Sequence, residues 1–319
     1  MSPFSKKFDP QSDLPDLSGK VAIVTGGNAG IGYATVKHLA RLGAKVYVAA
    51  RSEEKLAATV ERIQSDDDID NDLIQPLLLD LADARKAKAA AEEFIEMEDR
   101  LDILRAYEQS VDAVAGSMMI NHISPFVFTQ TLLPLMKTTS EETDSDVRIV
   151  NVTSVMHKLP TPAQGRFRNL DDFNQDFAKT SMPMLLQYAY SKLANVVYTR
   201  ELQRRLTCAN TRIAVLAVHP GLVNTYAHRL ALPSLLQPLA SALMRAFLRR
   251  PAVGAYNSVW AAAAPDVKLK DLGGKYVEPI GKVVPPSKVA LKEEVGQELW
   301  ATTEEFLKSI GLELPAMST

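Results

Sequence analysis

Near the N-terminus the sequence reads Val21-Ala22-Ile23-Val24-Thr25-Gly26-Gly27-Asn28-Ala29-Gly30-Ile31-Gly32. The first four residues are all apolar, as in a strand that is buried on both faces of a parallel sheet. Glycines spaced Gly-x-x-x-Gly-x-Gly then fill a turn that opens a helical segment. Such a turn lets the backbone approach a pyrophosphate closely, and the helix N-terminus adds N–H groups and a positive dipole end. The stretch therefore predicts a dinucleotide site, with these candidate residues: Gly26, Asn28, Gly30, Ile31 and Gly32.

Short apolar runs and amphipathic stretches alternate along the rest of the chain. This alternation predicts βα units and a doubly wound, Rossmann-type parallel sheet of about seven strands, with helices on both faces, in one domain over 1–319. The predicted strands are Val21 to Thr25, Lys45 to Ala50, Leu73 to Leu79, Asp102 to Leu104, Val147 to Val152, Arg212 to Val218 and Lys275 to Val277. The predicted helices are 31 to 43, 53 to 65, 83 to 98, 116 to 137, 184 to 206, 251 to 263 and 289 to 309.

A leucine-rich segment from Tyr226 to Arg250 interrupts this pattern and contains Pro233 and Pro238. We interpret it as short apolar helices inserted at about 226–250, beside the strand ends where doubly wound folds bind ligands. Three roles stay open for it. They are a lid over an apolar substrate, a membrane-surface patch, or core packing.

Composition excludes several classes of function. The formal net charge of the 319 residues is only -2, so no basic face points to nucleic acid. Cys208 is the only cysteine, which excludes an intrachain disulfide and fits a reducing compartment. We see neither a signal peptide nor an apolar run of membrane-spanning length. A cytoplasmic protein that acts on small molecules is expected.

The end of the second predicted strand indicates the cofactor. It reads Ala49-Ala50-Arg51-Ser52. An acidic residue there accepts hydrogen bonds from the ribose of NAD, whereas a guanidinium suits the 2'-phosphate of NADP. Arg51 therefore favours NADP(H) over NAD(H). Asp80 and Leu81 follow the third strand and are placed to meet the adenine.

Tyr188 and Lys192 lie four residues apart in a predicted helix. Residues at this spacing share one helix face, so the lysine cation can lower the phenol pKa from its ordinary value of about 10. Such a pair can transfer protons. Tyr190 is a weaker candidate, because the residue four positions after it is Ala194. Thr153 and Ser154 end the fifth predicted strand, and their side chains should point to opposite sides of it.

From about Leu17 to Gly311 the chain resembles the short-chain dehydrogenase/reductase superfamily. The matching elements occur in the family's order: the glycine turn, Asn121, Asn151-Val152-Thr153-Ser154, Tyr188 with Lys192, and His219-Pro220-Gly221 with Thr225. Tyr188 to Asn195 and Gly274-Lys275-Tyr276 look like the retinol-dehydrogenase-like branch and its fungal relatives.

The resemblance implies a role for each matched residue. Tyr188 is the general acid or base, Lys192 holds the nicotinamide ribose and stabilises the tyrosinate, and Ser154 positions the substrate oxygen. Asn121 supports a water that leads protons to Lys192. Further cofactor contacts are implied at Pro220, Gly221, Val223 and Thr225, and a homodimer is plausible. The expected reaction interconverts a lipophilic alcohol and its ketone or aldehyde. Between Ser154 and Tyr188, the apolar residues Phe167, Phe173, Phe177 and Met182 are open to two interpretations, an apolar wall of the pocket or core packing.

The fourth strand departs from the family. The usual Asn-Asn-Ala-Gly is absent, because Asp102-Ile103-Leu104 runs into Arg105-Ala106-Tyr107-Glu108, and the segment before Asn121 is several residues short. A shortened strand leaves buried polar groups without partners. Three explanations compete: a remodelled turn in an active enzyme, a non-catalytic dinucleotide-binding protein, or a misread exon boundary. Retention of Ser154, Tyr188, Lys192 and Asn121 favours an active enzyme.

Overall fold

The computed structural model describes residues 8–66, 68–106, 116–161, 163–175, 177–221 and 251–315. The predicted insertion at 226–250 and the predicted cofactor residues Val223 and Thr225 lie outside these ranges.

One sheet runs through the described part of the chain in the order β3-β2-β1-β4-β5-β6-β7-β8. All neighbours pair in parallel except β7 and β8. The strands are β1 Val21–Thr25, β2 Lys45–Ala50, β3 Ile74–Leu78, β4 Ile103–Ala106, β5 Val147–Val152, β6 Ile213–Val218, β7 Tyr276–Glu278 and β8 Lys282–Val283. The doubly wound prediction is confirmed. The eighth strand was not predicted, because two exposed residues give no apolar pattern.

The helices are α1 Pro10–Asp13, α2 Gly30–Arg41, α3 Glu53–Gln64, α4 Ala84–Met97, α5 Gly116–Met118, α6 Ser124–Glu141, α7 Leu170–Phe173, α8 Pro183–Cys208, α9 Pro251–Gly254, α10 Tyr256–Ala263, α11 Pro265–Leu269 and α12 Glu293–Ser309. The predicted helix at 116–137 is divided by a π-helical turn, Met119–Ile123. Within the described ranges, no helix is both long and apolar enough to cross a bilayer.

Side chains of successive residues in the central strands point to opposite faces of the sheet, where they pack into two separate apolar cores. In β1, Ile23 packs with Phe94, Phe126 and Tyr190 on one side of the sheet. Val24 packs on the other side, against the helices that precede and follow β2 and against α10. Both faces of the sheet are therefore covered by helices, which explains why β1 and β6 are apolar along nearly their whole length, without alternation.

The fourth strand is longer than predicted. β4 extends through Arg105 and Ala106, so the predicted end at Leu104 is wrong. Ala106 pairs with Asn151 of β5, and Arg105 pairs with Val24 and Val150 on its two sides. The ladder is thus formed as far as Ala106, and a polar residue is accommodated inside it. Residues 107–115, where the family motif would continue, lie outside the described ranges.

The sheet order positions the site. β1, β4, β5 and β6 are neighbours and parallel, so their carboxyl ends, at Thr25, Ala106, Val152 and Val218, lie at one edge of the sheet. The chain reverses its direction of winding between β1 and β4. Doubly wound folds bind their ligands at this switch point.

Candidate active site

The glycine turn joins β1 to α2 and fits a phosphate group. Gly26 and Gly30 have φ angles of 61° and 56°, which favour glycine. A Cβ on Gly32 would lie 2.1 Å from the Gly26 carbonyl oxygen, so the turn closes tightly against the helix. Ala29 at the N-cap has no side chain that could cap the helix. The first-turn N–H groups of α2, which include those of Ile31 and Gly32, are therefore available to an anion.

Arg51 and Asp80 follow the adjacent strands β2 and β3. Arg51 is exposed, and within the described residues it forms no ion pair. The Asp80 carboxylate instead lies 3.0 Å from Lys86 Nζ. Burial opposes ionisation of Asp80, but the Ala82 N–H, Lys86 and Arg51 together lower its pKa. The guanidinium and the carboxylate are thus close enough to interact at the edge beside the glycine turn, and the next residue, Leu81, is buried.

Ser154 follows β5 and is nearly buried. Its Oγ accepts a hydrogen bond from the Met156 N–H at 3.3 Å and caps a short 3₁₀ turn, Val155–Lys158. Thr153 points elsewhere, because its Oγ1 donates to the Lys192 carbonyl at 2.8 Å. Thr153 therefore anchors β5 to α8, and Ser154 is the hydroxyl left at the edge of the sheet.

Tyr188 and Lys192 occupy successive turns of α8, as predicted. Lys192 Nζ lies 5.7 Å from the centroid of the Tyr188 ring. The lysine is 1% exposed, and its Nζ is 3.4 Å from the Val152 carbonyl and 3.3 Å from Asn195 Oδ1. Tyr188 is half-buried. The pair therefore combines a sheltered cation with a phenol that reaches the surface of the site.

Burial lowers the pKa of Lys192 to about 7, and the positive charge of Arg105 adds to this effect. Arg105 is fully buried on β4, where its Nη1 donates to the Thr25 carbonyl at 2.9 Å. This carbonyl begins the glycine turn. Arg105 was not predicted as a site residue, although an arginine directly after a predicted strand end was a visible signal.

Asn121 lies in the π-helical turn and is held against α8 by two contacts. Its Nδ2 donates to Ser191 Oγ at 3.0 Å, and its main-chain carbonyl accepts from Asn195 Nδ2 at 2.6 Å. Ser191 Oγ in turn donates to the Tyr188 carbonyl at 2.8 Å. Asn121 Oδ1 is buried and has no hydrogen-bond partner among the described residues. Asn121, Tyr188 and Lys192 thus share one network.

The loop after β6 reaches the same edge. Pro220 and Gly221 are partly buried, and Gly221 has a φ angle of 87°. The His219 N–H and carbonyl are bound by the Val277 carbonyl and by Asn257 Nδ2, at 2.9 and 2.8 Å. The start of this loop, in which further cofactor contacts are predicted, is therefore fixed to β7 and α10.

Other polar candidates have structural roles. The Tyr190 ring is fully buried, and its hydroxyl lies 2.7 and 2.8 Å from the Arg166 and Asp172 carbonyls, so that it donates to one of them. His157 Nε2 accepts from the Ser287 N–H at 3.1 Å, which leaves Nδ1 to donate to the Ser154 carbonyl at 2.7 Å. Burial lowers the His157 pKa to about 4.

Of the four residues suggested as an apolar wall, three are buried in the core and one is exposed. Phe167, Phe173 and Phe177 are core residues, at most 3% exposed, so the suggestion that they line a pocket is wrong. Met182 is exposed, and so is Met184. The three rings pack around Tyr190 rather than beside Tyr188.

Comparisons with known proteins agree with this geometry. Residues 20–167 match the family model of the short chain dehydrogenases. A short-chain dehydrogenase/reductase of Armillaria gallica is 40% identical in an alignment 316 positions long, which covers 95% of this chain and 98% of that protein. Retinol dehydrogenase 12 of Bos taurus is 34% identical, with 91% of this chain and 87% of that protein aligned. Among solved structures, the NADP complex of Pseudomonas aeruginosa RhlG has a TM-score of 0.63 and 25% identity, covering 85% of this chain and 98% of that one.

The fold and the comparisons together define a nicotinamide-dinucleotide oxidoreductase. The chain belongs to the short-chain dehydrogenase/reductase family. Both fungal members and retinol dehydrogenases are among its relatives, so the predicted retinol-dehydrogenase-like branch is confirmed.

Proposed function

We propose that this protein is an NADP(H)-dependent oxidoreductase that interconverts a lipophilic alcohol and its ketone or aldehyde, with Tyr188 as the general acid or base. The observation that carries the proposal is the placement of Ser154, Tyr188 and buried Lys192 at the sheet edge where the glycine turn opens. A hydroxyl, a phenol and a sheltered cation at a dinucleotide site match the needs of carbonyl reduction.

The chain's own residues manage the substrate oxygen and its proton. Ser154 Oγ accepts from the Met156 N–H, so its own O–H can donate to the carbonyl oxygen of the substrate. Tyr188 gives its phenolic proton to that oxygen during reduction and takes it back during oxidation. Lys192, as an ammonium within 5.7 Å of the Tyr188 ring, stabilises the tyrosinate that forms. Bound NADPH supplies the hydride.

The residues present fit this cofactor. The glycine turn and the uncapped start of α2 suit the pyrophosphate, and Asp80 and Leu81 suit the adenine end. Arg51 is exposed without an ion pair in the described residues, which leaves its guanidinium able to meet a 2'-phosphate. The NADP bound by RhlG supports the same preference.

Exposed apolar side chains support a lipophilic substrate. Met184 lies one turn before Tyr188 on α8 and is 64% exposed, and Met182 is 56% exposed. Val155 directly follows Ser154 and is also exposed. Apolar side chains left in water beside catalytic groups are typical of a ligand-binding surface. Dimerisation and a cytoplasmic location remain predictions.

A chain-length series tests the substrate class. We expect kcat/KM with NADPH to rise by about 2 to 4-fold per added methylene in straight-chain aldehydes, up to a plateau, because each buried methylene is worth about 0.8 kcal/mol. Met184→Glu should flatten this series, whereas Met97→Glu, an exposed methionine at the end of α4, should not. A preference for short, polar carbonyls in the wild type would refute the lipophilic assignment.

Deuterium transfer from NADPH labelled at C4 identifies the reaction. Mass spectrometry should find the label on the former carbonyl carbon of the product. Calorimetric binding of NADPH without reduction of any carbonyl would instead favour the non-catalytic dinucleotide-binding protein.

A further inference from the structure

The amide of Asn195 lies between two functional groups of the site. Its Nδ2 donates to the Asn121 main-chain carbonyl at 2.6 Å, and its Oδ1 accepts from Lys192 Nζ at 3.3 Å. The contacts fix the orientation of the amide, because the carbonyl can only accept and the ammonium can only donate. Asparagine satisfies both at once without adding a charge.

The secondary structure explains why this carbonyl is available. A π-helical turn displaces the regular backbone hydrogen bonds of a helix, and a side chain can then insert into the ladder. Asn121 is the central residue of the turn Met119–Ile123. Ser191 and Asn195 lie one turn apart on the facing side of α8, and they bind the side chain and the main chain of Asn121 respectively.

We propose that Asn195 is a positioning residue, which bridges the Asn121 carbonyl to the Lys192 ammonium and so holds that ammonium beside Tyr188. The effect of this bridge on turnover rests on the proposed function, whereas the contacts of Asn195 do not depend on it. The bridge from Asn195 is a direct contact with Asn121, the residue to which the family resemblance assigns a water. An amide does not release a proton near neutral pH, so Asn195 fixes the cation without passing protons.

The charges around Lys192 make the bridge testable through pH. Arg105 faces Lys192 from β4, and Tyr188 faces it from α8, while Val152 of β5 and Asn121 contribute only neutral groups. Asn195→Asp would place a carboxylate against the ammonium and raise the pKa of Lys192 above its present value of about 7. Asn195→Leu would remove both hydrogen bonds at similar volume.

The experiment combines unfolding with kinetics. Urea unfolding from pH 6 to 10.5 should show that wild-type stability falls as the pH drops towards 7, because the unfolded chain takes up the lysine proton first. In Asn195→Asp the decrease in unfolding free energy should be smaller and should end about one pH unit higher, because the native pKa of Lys192 is closer to its unfolded value. In NADPH-dependent turnover, the alkaline limb of the kcat profile should move upwards by a similar amount, whereas Asn195→Leu should lower kcat by about 10 to 100-fold.

Thr199→Val is the matched control. Thr199 is buried one turn further along α8, where it donates to the Asn195 carbonyl and accepts from Asn151 Nδ2. The Thr199→Val variant should be less stable than the wild type, but the pH dependence of its unfolding and of its kcat should be unchanged. Unchanged pH dependence of unfolding in Asn195→Asp, or wild-type kcat in Asn195→Leu, would overturn the inference. If the wild-type protein reduces no carbonyl, the proposed function is wrong. The unfolding measurements would still decide whether Asn195 binds Lys192.

Discussion

Replacement of Lys192 by methionine should make the protein more stable at pH 7 while it abolishes turnover. Burial lowers the pKa of Lys192 from its ordinary value of 10.5 to about 7. At roughly 1.4 kcal/mol per pKa unit, this difference destabilises the fold by about 5 kcal/mol at pH 7 and below. Methionine fills similar space without a charge. The loss of the donor to Asn195 Oδ1 costs about 1 to 3 kcal/mol, so the net gain is about 2 to 4 kcal/mol.

The pH dependence of that gain identifies its origin. The native pKa is below the unfolded one, so as the pH falls from 10.5 to about 7 the unfolded chain binds a proton that the native site does not. Wild-type stability therefore decreases over this window. The advantage of Lys192→Met should shrink as the pH rises and be gone by about pH 10, where the cost of the lost hydrogen bond exceeds the remaining charge penalty. Urea unfolding across the range measures both effects, with exposed Lys55→Met on α3 as the control. A variant less stable than the wild type at pH 7, or a gain independent of pH, would refute the reasoning.

Two further substitutions test the cofactor site. Gly32→Ala places a Cβ 2.1 Å from the Gly26 carbonyl oxygen, so the turn must move. Calorimetry should then show that the affinity for NADPH is reduced by about 10-fold or more. An unchanged affinity would mean that this turn does not hold the pyrophosphate. Arg51→Asp should shift the ratio of kcat/KM values from NADPH towards NADH by about 10 to 100-fold, since it removes a charge-assisted phosphate contact and adds a ribose acceptor. An unaltered ratio would show that Arg51 does not choose the cofactor.

The sequence predicted those parts of the fold that depend on local pattern. Strand β1, strand β2 and strand β5 have the predicted bounds, because apolar residues predominate in each of these short runs. The end of β4 was not predicted, because Arg105 breaks the apolar pattern. Its guanidinium is accommodated by the Thr25 carbonyl, a contact 80 residues away in sequence. Pairing on both sides keeps the strand regular beyond the point where composition suggests that it ends.

The site shows the same division. Tyr188 and Lys192 were identified from a spacing within one helix, and the structure places them on one face. Asn195 carried no signal for a role of its own, because its two partners belong to the π-helical turn and to the lysine three residues earlier. The phenylalanines between Ser154 and Tyr188 were open to two interpretations, and only the packing around Tyr190 decides that they are core residues.

The most direct test of the account compares Tyr188→Phe with Tyr190→Phe. Each substitution removes one hydroxyl from the same helix. The Tyr188 ring lies 5.7 Å from Lys192 Nζ, whereas the Tyr190 hydroxyl lies against the Arg166 and Asp172 carbonyls. With NADPH and a carbonyl substrate, Tyr188→Phe should reduce kcat by about 10² to 10⁴-fold, with NADPH affinity nearly unchanged. Tyr190→Phe should keep wild-type kcat and lose about 1 kcal/mol of stability, for one buried hydrogen bond. Turnover retained in Tyr188→Phe would contradict the assignment of the general acid.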